Sequence, residues 1–207
     1  VVGEHPDLAF KRGEISLEFL HCWYDLNDPA NEECFELILE EHGVDTMCQP
    51  VRFGIEFYTS DSASSSAAVY PYFSVRGLIA RIGDGIRLDH DGMSSIKEWK
   101  KRLPEVDSLF KEAEDRIEAM GNTQINDVKL TIVNITDKYS GKFPKKAVRD
   151  YLEDMVDGPG TAIDVYLALC EIIEAHCTNN NISGIRKLNL TAEVSKFLFR
   201  DFREFDF

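Results

Sequence analysis

Long apolar runs are missing from this 207-residue chain. Nowhere do the roughly 20 consecutive apolar residues of a membrane helix occur, and the N-terminus lacks a basic-then-apolar leader pattern. Paired cysteine spacing is missing too. Cys22, Cys34, Cys48, Cys170 and Cys177 contain no CxxC pair, and an odd number at irregular spacing is a poor disulfide framework. Cys34 and Cys170 sit in apolar helical contexts, where free cysteine behaves as a small hydrophobe. A reducing, cytoplasmic setting is therefore expected, and the glycosylation-type sequons at Asn134, Asn181 and Asn189 read as chance matches. Positive charge is scarce: 23 Lys and Arg stand against 37 Asp and Glu, a net of −14. That excludes a protein that coats nucleic acid through its overall field. No motif of an established catalytic class occurs, and no cofactor is expected. The chain opens on Val1-Val2 rather than Met, so a preceding segment is expected.

What is present suffices for a core. A hydrophobic fraction of 43%, with 11% aromatic residues, excludes wholesale disorder. The texture changes along the chain. Ile15, Leu17, Phe19, His21 and Trp23 alternate with Ser16, Glu18, Leu20 and Cys22, the period of a half-buried strand. Asn31 is placed to cap a short acidic helix carrying Cys34, Phe35, Leu37 and Ile38, ended by Gly43. Phe53, Ile55 and Phe57 alternate again, and the small polar residues 60–66 read as a mobile loop. Strand character resumes over residues 69–82, and Gly83-Asp84-Gly85 reads as a hairpin turn into Ile86-Arg87-Leu88.

Helical periods dominate from about residue 94. Residues 105–120 carry Val106, Leu109, Phe110, Ala113, Ile117 and Met120 at helical spacing before Gly121. Ile125, Val128, Ile132, Ile135 and Tyr139 continue that spacing. Pro144 suits the first turn of the next helix, and Gly158-Pro159-Gly160 closes it. Thr161 is placed to cap residues 162–176, apolar on most of their circumference and so central to the helical half. A last helix is expected over residues 191–203. The fold class is α+β, with a β-rich module over residues 1–92 and a helical module over 93–207, or both merged into one compact domain.

Four sets of residues carry candidate chemistry. Asp84, Asp89, His90 and Asp91 are oxygen and nitrogen donors of the kind that hold Mg²⁺ or Mn²⁺. The same residues make good turn chemistry, and neighbours on a strand point to opposite faces. Around His21, Cys22, Cys34, His42 and Cys48 the knuckle spacing of structural zinc sites is absent. His176-Cys177 are adjacent on a helix and point apart, against a catalytic couple. Glu32, Glu33, Glu36, Glu40 and Glu41 form a carboxylate-rich helix face, read either as plain solvated surface or as an acidic docking surface for a protein partner.

Arg76, Arg81 and Arg87 lie on the expected sheet beside Tyr70, Tyr72 and Phe73, the ingredients of a stacking platform for single-stranded DNA. Lys142, Lys145, Lys146 and Arg149 open a helix, where positive charge opposes the macrodipole and gains no stability. At the C-terminus Phe202, Phe205 and Phe207 interleave with Asp201, Glu204 and Asp206. Such an acidic end closing on Phe resembles the protein-recruiting tips of single-stranded-DNA-binding proteins, and equally suits a helix packing its phenylalanines on the body.

A longer stretch, Phe57-Tyr-Thr-Ser-Asp-Ser-Ala-Ser-Ser-Ser-Ala67 followed by Val75-Arg-Gly-Leu78 and His90, resembles the phage/plasmid-like family of unknown function. Phe143-Pro-Lys-Lys146 and residues 162–175 are similar to that family's C-terminal helical part. Thr59 stands where the family has Asn, and Ser62 where it has Gly. The resemblance implies a mobile-element origin and supplies no active site. The expected function is non-catalytic binding of another macromolecule, mainly a protein, as in host takeover, anti-defence or a replication accessory. A single-stranded DNA binding or annealing factor and a metal-dependent enzyme using the hairpin carboxylates are the alternatives, and homo-oligomerisation is left open.

Overall fold

The computed structural model describes residues 10–15, 20–26, 29–46, 51–59, 67–83, 85–88, 101–102, 104–182 and 184–207. Strands β1 (Phe10–Ile15), β2 (Leu20–Asp25), β3 (Arg52–Thr59), β4 (Ala67–Val75), β5 (Leu78–Arg81) and β6 (Ile86–Leu88) form one antiparallel sheet, with helix α1 (Pro29–Glu41) between β2 and β3. Helices α2 (Pro104–Gly121), α3 (Val128–Lys138), α4 (Lys145–Glu153), α5 (Ala162–Asn179) and α6 (Gly184–Ser195) follow, then two 3-10 turns, Lys196–Phe199 and Phe202–Phe205. Short strands β7 (Gln124–Ile125) and β8 (Gly160–Thr161) pair across the starts of α3 and α5. The α+β division is as the periodicities indicate, strands mostly first and helices after.

Along β3 the alternation sorts the sheet into two faces. Phe53 pairs with Phe73 of β4, and both rings meet Phe35 of α1, at centroid distances of 5.3 and 5.0 Å. Phe110 of α2 closes on Phe53 at 4.8 Å. From here one continuous hydrophobic cluster runs through α5 to Phe202 and Phe205, so the β-rich and helical halves share a core. Helix α5 packs against α2, α3, α4, α6 and β5. Its N-terminus is fixed as the sequence indicates: Asp164 Oδ2 accepts from the Thr161 N–H at 2.7 Å.

Several boundaries differ from the expectations. The hairpin turn after β4 lies upstream of Gly83-Asp84-Gly85, whose Asp84 is outside the described residues. It is Arg76-Gly77, both at positive φ (54° and 77°), the two-residue geometry that matches strand twist. Beyond it, β5 and β6 both pair with β4. Ile82 still donates to Pro71 O at 2.8 Å, and pairing resumes with Ile86 opposite Val69. Four steps on one strand thus face two on the other, so the strand carries two extra residues, a bulge, between Ile82 and Ile86. Gly85, at φ 69°, has no room for a Cβ, which would strike the Tyr70 ring and Val69 O. Its glycine reads as a turn only because a bulge and a turn need the same backbone freedom.

The expected strand over residues 15–23 is the end of β1 and most of β2, with 16–19 outside the described residues. Helix α1 starts at Pro29 rather than after Asn31. Ile125 lies in β7, and α3 begins only after Asp127, whose carboxylate caps Leu130 N–H at 2.9 Å. The last helix begins at Gly184 and breaks into the 3-10 turns after Ser195. Its final residue protects the sheet edge: Ser195 Oγ accepts from Arg81 N–H at 3.0 Å while its hydroxyl donates to Thr191 O.

Candidate functional site

The acidic stripe of α1 is the first site residue set to be relocated. Glu32 is 4% exposed; its Oε1 accepts from Phe53 N–H at 3.2 Å and its Oε2 from Arg52 Nη1 at 2.8 Å. Glu36 Oε1 accepts from Val51 N–H at 2.8 Å, and Glu40 Oε1 from Thr46 Oγ1 at 2.8 Å. Four helical residues rise about 6 Å and two strand residues about 6.6 Å, so carboxylates at i and i+4 meet strand amides at j and j+2. The stripe bonds the lead-in and first turn of β3 and the Thr46 loop. Glu32 is therefore withdrawn from the solvent-facing docking surface the sequence allowed and Glu36 partly so; Glu33, Glu40 and Glu41 stay exposed.

The arginine-aromatic set is also turned inward. Arg81 is 3% exposed, ion-paired with Glu56, with its guanidinium 4.6 Å from the Tyr70 ring centroid. Tyr72 donates to Asp25 Oδ1 at 2.9 Å, and burial, then the Asp25 charge, hold its phenol far above the ordinary value. Tyr70 and Tyr72 are both buried, and Phe73 lies on the opposite, core face, so these residues present no stacking platform to solvent. Arg76 stands apart at the hairpin turn, 3.5 Å from Glu171 of α5, whose other oxygen takes the Tyr151 hydroxyl at 2.6 Å. For Arg87 only the backbone, on β6, is described.

At the C-terminus Phe205 is 1% exposed and Phe207 is 83% exposed, so only the latter stands free of the body. The Asn126 backbone and side chain both donate to Asp206, and Asn134 donates to Phe205 O at 2.8 Å. The phenylalanine pattern is mainly core packing. Asp84, Asp89, His90, Asp91 and Cys48 lie outside the described residues, as do residues 60–66. Among the described residues no three His, Cys, Asp or Glu side chains group to hold a metal ion. Nor is any described helix long and apolar enough to cross a membrane. Cys34 is exposed, against its expected apolar setting, while burial pushes the Cys170 thiol up to about 12.

A cavity that the sequence did not flag as a site lies between α3 and α4. It encloses about 520 Å³, within the range of small-ligand and side-chain pockets. The core face of α3 is Val128, Thr131, Ile132 and Ile135. Its neighbouring face, Lys129, Val133 and Thr136, forms one wall at the i, i+4, i+7 spacing of a single helix side, and Ser140 extends it past the helix end. Lys145, Val148, Arg149 and Leu152 of α4 form the other, and Phe143 closes the junction. Lys129 donates to Met155 O at 2.9 Å and pairs with Asp157, which fixes the far end.

Charge sets this place apart. The groove is lined by three cations, Lys129, Lys145 and Arg149, against Asp137 and Glu153, a net of +1 in a chain of −14, and the segment 129–153 that builds it holds six Lys and Arg against three Asp and Glu. Pro144 offers no side-chain cap, and Lys145 and Lys146 occupy the positive end of the α4 dipole. The lysine cluster visible in the sequence was the available signal; that it borders a cavity was not visible. No family model, no curated protein and no solved structure matches this chain.

Proposed function

We propose that this chain is a non-catalytic binding protein that engages a protein partner through the α3–α4 groove. The observation that supports the reading most is the groove itself, ligand-sized, floored by Val133, Phe143, Val148 and Leu152, and locally basic in an acidic molecule. Placing two cations, Lys145 and Lys146, in the first turn of a helix costs stability, by a few tenths of a kcal/mol each. A binding role accounts for that cost. A mobile-element setting and a cytoplasmic location, as the family resemblance and the unpaired cysteines imply, belong to the same proposal.

Panning a displayed random dodecapeptide library on the folded chain tests it. Enriched peptides are expected to lose binding to Val133→Trp, which fills the groove. Failure to enrich any peptide, or enriched peptides indifferent to that substitution, would remove the reading.

A further inference from the structure

The walls of the groove say what kind of segment fits. Its α3 side runs from Lys129 to Asp137, eight residues at 1.5 Å each, or about 12 Å, and Ser140 extends it past the helix end. That length matches roughly two turns of a docked helix, the span over which apolar anchors at i, i+3, i+4 and i+7 are read. The floor supplies apolar contact for such anchors, and the rim supplies charge. Lys145 has no ion pair or side-chain hydrogen bond assigned, unlike Lys142, which pairs with Glu193, and Lys146, which lies 4.0 Å from Asp150. Arg149 shares Asp150 and Glu153 with solvent, at 3.5 and 3.8 Å. Asp137 and Glu153 also stand on the rim, so among the described residues the unpaired cation there is Lys145, beside the positive end of the α4 dipole.

Resting on the docking role proposed above, we infer that the occupant is an acidic amphipathic helix of a partner protein, its apolar stripe on Val133, Phe143, Val148 and Leu152 and its carboxylates toward Lys145 and Arg149. A nucleic acid would meet the same cations, but the apolar floor offers its phosphates nothing and leaves no exposed aromatic ring for its bases. Much of the binding energy comes from the apolar stripe. The rim sets association rate, salt dependence and the sign of the preferred partner.

Three dye-labelled twelve-residue helical peptides with the same leucine stripe and Glu, Gln or Lys elsewhere, plus a single-stranded oligonucleotide, test this by fluorescence anisotropy. The Glu peptide is expected to bind most tightly, to weaken as salt rises, and to lose about tenfold in affinity on Lys145→Glu plus Arg149→Glu. Glu33→Lys on α1, outside the groove lining, is expected to leave its affinity within about twofold. Both altered positions are exposed, and unchanged circular dichroism verifies that the doubly substituted chain is folded. If the Gln or Lys peptide binds as well as the Glu peptide, and Val133→Trp abolishes that binding, the docking role stands and the acidic occupant is overturned. If no peptide binds, or binding survives Val133→Trp, the docking role falls with it. Tighter binding of the oligonucleotide than of every peptide overturns the protein partner in favour of nucleic acid.

Discussion

A buried carboxylate that bonds a strand amide holds two elements together, and Glu32 is the clearest case. Its neighbour Glu33 points to solvent from the same helical turn. Replacing Glu32 by Ala leaves Phe53 N–H and Arg52 without their acceptor, and should lower stability by about 2 kcal/mol. Glu33→Ala should change it by less than about 0.5 kcal/mol. Urea unfolding of the two variants reads both; equal, small effects would show that the stripe is solvated after all. The sequence made the stripe legible as one helix face, because i, i+4, i+8 spacing is a local property. Which neighbour that face meets depends on β3, which lies across a connection from it, and no local pattern encodes that edge.

At the level of elements, helices were easier to place than strand connections. The periods of α2 and α5 and the stop at Gly121 follow from residues within a few turns of one another. The sheet needed more: whether Gly83-Asp84-Gly85 turns the chain back or merely bulges it is decided by what β6 pairs with. Arg76-Gly77 passed unnoticed because arginine rarely occupies positive φ, whereas glycine at residues 83 and 85 advertised a turn. The bulge makes a sharp prediction. Gly85→Ala introduces both a positive-φ penalty and a clash with the Tyr70 ring, and should cost roughly 2–4 kcal/mol, the sum of a strained backbone and an overpacked contact. A melting temperature within a degree or two of the parent would mean that residues 83–85 form an open turn, as the sequence alone reads them.

Across the whole molecule, charge and burial are unevenly shared. Outside residues 129–153 the chain carries −17, and the central members of the two candidate surfaces named from composition, Glu32 on the acidic helix and Arg81 on the sheet, proved to be internal polar contacts. Composition records how many charges there are; only packing records which remain available. Three of the seven tyrosines, Tyr72, Tyr151 and Tyr166, have phenols raised above the ordinary value, in each case first by burial. A raised phenol favours the folded state below its unfolded value of about 10, and that contribution is lost as pH climbs past it. Alkaline titration followed by phenolate absorbance should therefore show these three ionising only together with unfolding. Seven phenols titrating in one ordinary step while the far-ultraviolet dichroism stays native would contradict the buried placements.

The groove between α3 and α4 is ligand-sized and carries a net positive lining, and its occupancy can be mapped directly. Titrating the leucine–glutamate helical peptide into isotope-labelled protein, and following backbone amide shifts, reports where it binds residue by residue. Shifts clustered over residues 129–153, centred on Val133, Lys145 and Arg149 and absent in Val133→Trp, are the expected result. Shifts confined to α1 or the C-terminal turns, or no shifts at millimolar peptide, would contradict a docking site between α3 and α4.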